Sequence, residues 1–167
     1  MKRFFAWALA LILLCALGCM PAFAELEAYW GPYTGGLHVD YDPALFELED
    51  TFEENGEVRF TCKEKTPVPV TFQITCYPDS DQADVDFQVT GPYGLEGHDA
   101  VIGNNYYDAM SYYYPTDVDG VEQRRYVYIL SCMEDVFVID MFEYDGIPQE
   151  IGEAMNAMLD SFEFGGA

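Results

Sequence analysis

The chain has 167 residues, with thirty Asp and Glu against seven Lys and Arg for a formal charge of −23, and aromatic residues make up 16% of it. Such an excess of carboxylates repels nucleic acid and anionic lipid surfaces, which argues against either as a partner. The Tyr, Phe, Val and Ile content, set in alternating patterns, argues equally against a disordered acidic chain, so a folded domain is expected.

Lys2 and Arg3 open the chain, an apolar run follows from Phe4 to Gly18, and Pro21-Ala22-Phe23-Ala24 precedes the first acid, Glu25. This is the order of a secretory signal, residues 1–24, with Ala22-x-Ala24 as the cleavage pattern. The apolar run holds 15 residues, whereas a helix needs about 20 to cross a bilayer core, so no membrane span is expected in the mature chain. An alternative lies upstream, where Ala16-Leu17-Gly18-Cys19 resembles the lipobox of bacterial lipoproteins. On that reading Cys19 is acylated and tethers the domain to a membrane surface. Both readings predict export, either as a secreted protein or in the cell envelope. Cleavage after Ala24 leaves 143 of the 167 residues, with five basic against thirty acidic side chains and a formal charge of −25. That length suits one domain with its own core.

Residues 25–36, with Tyr29-Trp30-Gly31-Pro32-Tyr33 and the Gly35-Gly36 pair, read as an extended N-terminal arm, and residues 37–164 as a single domain. Leu37, Val39 and Tyr41 alternate with His38 and Asp40, the pattern of a half-buried strand with His38 toward solvent. Asp42-Pro43 marks a turn, and Leu45–Glu49 a second short strand. Val58–Lys63 and Val70–Tyr77 alternate as a hairpin. In that hairpin Cys62 and Cys76 share the buried face, either as buried free thiols or as a candidate disulfide if their Cα atoms come within about 7 Å. The stretch 78–97 is open between a short helix and a surface loop. A strand is expected from Asp99 to Ile102, and the meander Tyr106–Tyr114, Val121–Cys132 and Val136–Tyr144 follows, turning at Asp119-Gly120. Pro148 then opens a helix whose Ile151, Met155, Met158 and Leu159 recur at helical spacing. Strands followed by a terminal helix make an α+β fold, an antiparallel sheet covered by helices.

The segment Gly36-Leu37-His38-Val39-Asp40-Tyr41-Asp42-Pro43, the Tyr-rich meander and the closing Met158-Leu159-Asp160-Ser161-Phe162-Glu163-Phe164 together resemble the PsbP-like family of small exported domains. The resemblance covers about residues 36–164 and implies an α/β/α sandwich around an antiparallel sheet. Its plant members are non-enzymatic accessory proteins of a membrane complex, so the resemblance implies binding rather than catalysis.

No Gly-x-Ser-x-Gly is present, and past the leader the only imidazoles are His38 and His98, so a nucleophile-and-base pair has few candidates. A small hydrolase using some of the many carboxylates remains an alternative with no residues to name. Dispersed cysteines argue against structural zinc. Asp79, Asp81, Asp84 and Asp86 lie close enough in sequence to offer calcium a ligand run, without the full spacing of a calcium loop; as a solvated turn they would need no cofactor. Aromatic side chains carry the binding reading: Trp30 and Tyr33 in the arm, with Tyr106, Tyr112, Tyr114, Tyr126 and Tyr128 in the meander. Tyrosine offers rigid contact area with a polar tip, suited to a protein or envelope component as partner.

Overall fold

A computed structural model describes residues 25–31 and 36–165. The expected leader with Cys19, and Tyr33 of the arm, lie outside them. In chain order the elements are β1 (Glu27–Trp30), β2 (Leu37–Tyr41), β3 (Phe46–Thr51), α1 (Phe52–Asn55), β4 (Glu57–Cys62), β5 (Thr71–Tyr77), α2 (Gln82–Val89) and a 3-10 turn (Gly91–Tyr93). Then come β6 (His98–Ile102), β7 (Tyr107–Val118), β8 (Val121–Cys132), β9 (Asp135–Tyr144), α3 (Gln149–Ser161) and β10 (Glu163–Phe164).

Seven strands form one antiparallel sheet in the order β3-β4-β5-β9-β8-β7-β6. After β5 the chain crosses through α2 to the far edge, then returns as the β6-to-β9 meander and closes on β5, with Ile74 opposite Ile139. The long β7–β8 hairpin turns at Asp119 and Gly120, both at positive φ (53° and 81°), which matches the right-handed twist of its strands. A second sheet, β1-β2-β10, packs over the first.

Alternation along the strands divides the large sheet into two faces. On one face Val58, Phe60, Phe72, Ile74, Leu130, Phe137 and Ile139 meet Leu37 and Val39 of the small sheet and Ile151, Met155 and Met158 of α3. Phe60, Phe72 and Phe137 are fully buried there, each contributing about 2–3 kcal/mol by removal from water. On the other face α2 seats Val85 over Tyr112, Tyr114, Val127, Ile129, Val136 and Val138. Helices thus lie on both faces of an antiparallel sheet, the α+β arrangement expected.

Several local expectations differ from the structure. The arm holds a strand: Tyr29 of β1 is buried against Phe60, with ring centroids 5.9 Å apart, while β1 pairs along β2. His38 is buried, because Trp30, its register partner, stacks on it at 4.4 Å. Part of the open stretch 78–97 is helix α2, capped by Asp81, whose carboxylate accepts a hydrogen bond from the Ala83 amide; only Val85 in it is buried, too weak a periodicity to read. Pro148 opens α3 as expected, standing at its N-cap. Gly103, at φ 73°, brings the β6–β7 turn against the end of α3, where a Cβ would lie 2.2 Å from the Phe162 carbonyl. The same carbonyl accepts from the Asn104 amide, so that turn and the end of α3 are held as one unit.

The Cys62–Cys76 disulfide is corrected by the register. Both thiols lie on the buried face, but Cys62 sits opposite Val70 and Cys76 opposite Gly56. Six residues therefore separate their levels, about 20 Å along a strand against the few ångströms a disulfide allows. Neither is in a disulfide.

Candidate functional site

Helix α2 is short and covers only the β7-β8-β9 side of its face. Across β4, β5 and the adjoining ends of β8 and β9, that face is lined by Arg59, Thr61, Pro69, Thr71, Gln73, Gln123 and Phe142, which surround a shallow recess of about 360 Å³. Alternation places them together: Thr61 pairs with Thr71, Arg59 with Gln73, and Thr71 with Phe142. The odd positions of β4 and β5 were therefore bound to share this face once Phe60 and Phe72 took the other.

The recess is held in shape by its own hydrogen bonds. Arg59 Nε donates to Gln73 Oε1 at 3.1 Å and its Nη2 to Glu57 Oε1 at 2.6 Å, with Glu49 at 3.8 Å. Gln123 Nε2 donates to the Pro69 carbonyl at 2.9 Å, and Thr116 Oγ1 donates to Gln123. Beside the recess lies a more deeply set group. Arg125 Nε donates to Asp140 Oδ1 at 2.5 Å, with 17% and 9% of the two side chains exposed. Its Nη1 contacts the Tyr114 hydroxyl, and its Cζ sits 5.2 Å from the centroids of both the Tyr114 and Phe142 rings. Tyr93 stacks on Tyr114 at 5.0 Å. A strip thus runs from Tyr93 through Tyr114, Arg125 and Phe142 to the recess, aromatic at one end and amide, hydroxyl and guanidinium at the other.

The charge states follow from these contacts. Burial pulls the Arg125 guanidinium down, but the hydrogen bond and charge of Asp140, with Tyr114, outweigh it and leave a net upward shift. Burial raises the Tyr114 phenol, with Arg125 opposing it in part. The strip therefore presents fixed donors and neutral rings, suited to holding a polar ligand. The described imidazoles lie elsewhere: His38 is clasped by Asp40 at 3.0 Å and Glu163 at 3.3 Å under Trp30, and His98 opens the edge strand β6.

The aromatic residues picked out from the sequence do not form one surface. Tyr112 and Tyr114 lie on the α2 face. Tyr112 is buried beneath that helix, its hydroxyl donating to Asp86; burial, followed by that hydrogen bond and charge, pushes its phenol up to about 12. Tyr126 and Tyr128 point to the opposite face. There Tyr126 lies 5.0 Å from Tyr113, next to Arg124, whose Nη2 pairs with Asp145 at 2.6 Å. Tyr106 stands alone in the β6–β7 turn, 80% exposed at φ 56°. Trp30 is half-exposed over His38 on the small sheet. Arg59, Thr71, Gln73, Arg125 and Phe142 were not singled out from the sequence. The available signal was the placement of scarce cations, Arg59 and Arg125, at core-opposed positions of strands.

Of the four aspartates of the calcium alternative, Asp79, Asp81, Asp84 and Asp86, two have carboxylates engaged within the fold: Asp81 caps α2, and Asp86 accepts from Thr90 and Tyr112. Among the described residues no group of three or more His, Cys, Asp or Glu is placed to hold a metal ion. No helix among them is long and apolar enough to cross a membrane.

These features define an α+β domain with a half-open sheet face. A protein from Bacteroides thetaiotaomicron VPI-5482 has a similar fold, with a TM-score of 0.54 and 15% identity over 76% of this chain. The match covers 44% of that protein, so the chain spans less than half its length. LpqN of Mycobacterium tuberculosis, described as involved in cell envelope biogenesis, matches more loosely, with a TM-score of 0.49 and 15% identity over 81% of this chain and 88% of its own. The first likeness speaks to the fold alone, and the second is too loose to carry an argument. No protein-family profile and no curated protein matches the chain.

Proposed function

We propose that this protein is an exported, non-enzymatic binding or accessory module that holds a protein or envelope component on the open half of its large sheet. The observation that carries this reading is the strip on the α2 face, where Arg59, Thr71 and Gln73 stand beside Phe142 and Arg125, with Gln123 set deeper, and no described helix lies over the recess they line. Prearranged donors on rigid strands lose little freedom on binding, which favours recognition. The leader expected over residues 1–24 supports a module working outside the cytoplasm, and the resemblance to PsbP-like domains, whose plant members are accessory proteins, points the same way. A formal charge near −25 for the cleaved chain suits a soluble part working at the envelope without adhering to anionic lipid.

The test is co-sedimentation of the protein with envelope material from its source organism. Arg59→Ala with Gln73→Ala should lower retention about tenfold, the size expected when two central contacts are truncated, while the thermal midpoint stays close to the parent's. Equal retention of parent and variant would sink the reading.

A further inference from the structure

Both edges of the large sheet are open to another strand, but they differ in how they are guarded. An edge strand presents unpaired N–H and C=O groups, and proteins usually blunt it with charge. On the β3 edge Glu47, Glu49 and Asp50 stand within six residues and no large apolar side chain is exposed. At the other edge, among the described strands, β6 pairs only with β7. It has no proline, and its Val101 side chain is 59% exposed.

The surroundings of that edge have one sign of charge. Register sets Asp99 opposite Met110 and Val101 opposite Asp108, so Asp99, Val101 and Asp108 share the α2 face of the sheet. With Ala100 and Ala109 they line a recess of about 490 Å³. No described cation pairs with either carboxylate; the ion pairs of Arg59, Arg124 and Arg125 lie on other strands. On the reverse face the edge offers the small Ala100 beside Ala109, which leaves room for a neighbour's side chains.

We infer that β6 accepts an extended segment of a basic partner protein as an eighth strand of the sheet. The segment places a Lys or Arg beside Asp99 and a β-branched residue beside Val101, two positions apart, because alternate residues of an added strand share a face. Directly facing side chains then come within about 5 Å, close enough for an opposite-charge pair and an apolar pair to select the segment. A second copy of this chain is the poorer occupant. Its own β6 would bring another Asp99 and Asp108 to the same place, and like charges across strands repel. This surface is separate from the recess around Arg59, and each can be tested without the other.

The probe is a labelled, end-capped peptide repeating lysine, serine, valine, serine, which sets lysine and valine two positions apart on one face; it is titrated into the full-length protein at low salt and read by fluorescence anisotropy. Saturable binding is expected, weakened at least about fivefold by Asp99→Lys and again by Val101→Lys, in line with loss or reversal of a cross-strand pair. Arg59→Ala with Gln73→Ala should leave it unchanged. Methylating alternate backbone amides of the peptide, in either phase, should abolish binding in the phase that pairs with β6. Should one variant fold poorly by circular dichroism, the methylated peptides against the parent protein still decide the matter. Equal binding by both methylated peptides would overturn the proposal in favour of diffuse charge attraction. Insensitivity to Asp99→Lys in a folded variant, or dimerisation that Val101→Lys abolishes in the absence of peptide, would overturn it as well.

Discussion

Replacing Asp140 by Ala tests the buried polar group on which the strip depends. The carboxylate lies 2.5 Å from Arg125 Nε, and 17% of the Arg125 side chain and 9% of the Asp140 side chain are exposed. Without Asp140 the guanidinium stays between the Tyr114 and Phe142 rings, 5.2 Å from each centroid, with no counter-charge in reach. Breaking a buried pair from one side costs about 3–5 kcal/mol, and the residual exposure of Arg125 argues for about 3 kcal/mol. At about 3 °C per kcal/mol for a domain of this size, the thermal midpoint should fall by roughly 9 °C. Replacing both partners by apolar residues of similar volume, Arg125→Met with Asp140→Leu, should recover most of that loss. Thermal and urea unfolding followed by circular dichroism measure both. A single-variant loss below about 0.5 kcal/mol would refute the reasoning, because it would mean the pair is screened like a surface salt bridge.

Three further outcomes follow from the contacts described. The Tyr112 phenol, pushed up to about 12 mainly by burial and then by Asp86, stays protonated in the folded state while an unfolded tyrosine ionises near its ordinary value. The folded state therefore binds the extra proton, and stability should fall as pH rises from about 10 to 12; Tyr112→Phe should flatten that part of the slope in alkaline unfolding curves, and an unchanged slope would contradict the assignment. Burial, with Asp135 adding to it, pushes the Cys76 thiol up to about 11, so alkylation at mildly basic pH should be slow until denaturant is added; fast labelling of the native protein would contradict its burial. Calcium at millimolar concentration should move the midpoint by less than about 1 °C, since Asp81 and Asp86 already accept internal hydrogen bonds; a rise that grows with calcium would restore the metal reading.

The fold was legible where one face of an element is fully apolar. Val58, Phe60 and Cys62 against Phe72, Ile74 and Cys76 announce strands by their period of two, and Ile151, Met155 and Met158 announce a helix by theirs. Helix α2 was hidden because it packs mainly through Val85, which leaves no period to detect. Of the two readings of Cys62 and Cys76 the buried free thiols hold and the disulfide fails on register: alternation shows which face a cysteine occupies but not its level along the strand, which the β4–β5 pairing sets. His38 went astray because its cover, Trp30, comes from a strand in what read as an arm. The candidate site was the least visible part. Arg59, Gln73 and Thr71 look like ordinary solvent-facing strand residues until the meander is seen to close on β5 and bring Phe142 and Arg125 beside them.

The central claim, that the open half of the α2 face is where this protein holds its partner, is tested most directly by photo-crosslinking from single positions in contact with the source organism's envelope. A crosslinker at Thr71, in the recess, is compared with one at Tyr113, which is 49% exposed on the opposite face. The account predicts a discrete adduct from Thr71 that Arg59→Ala with Gln73→Ala diminishes, and none from Tyr113. Adducts from Tyr113 alone, or equally from both positions, would contradict it.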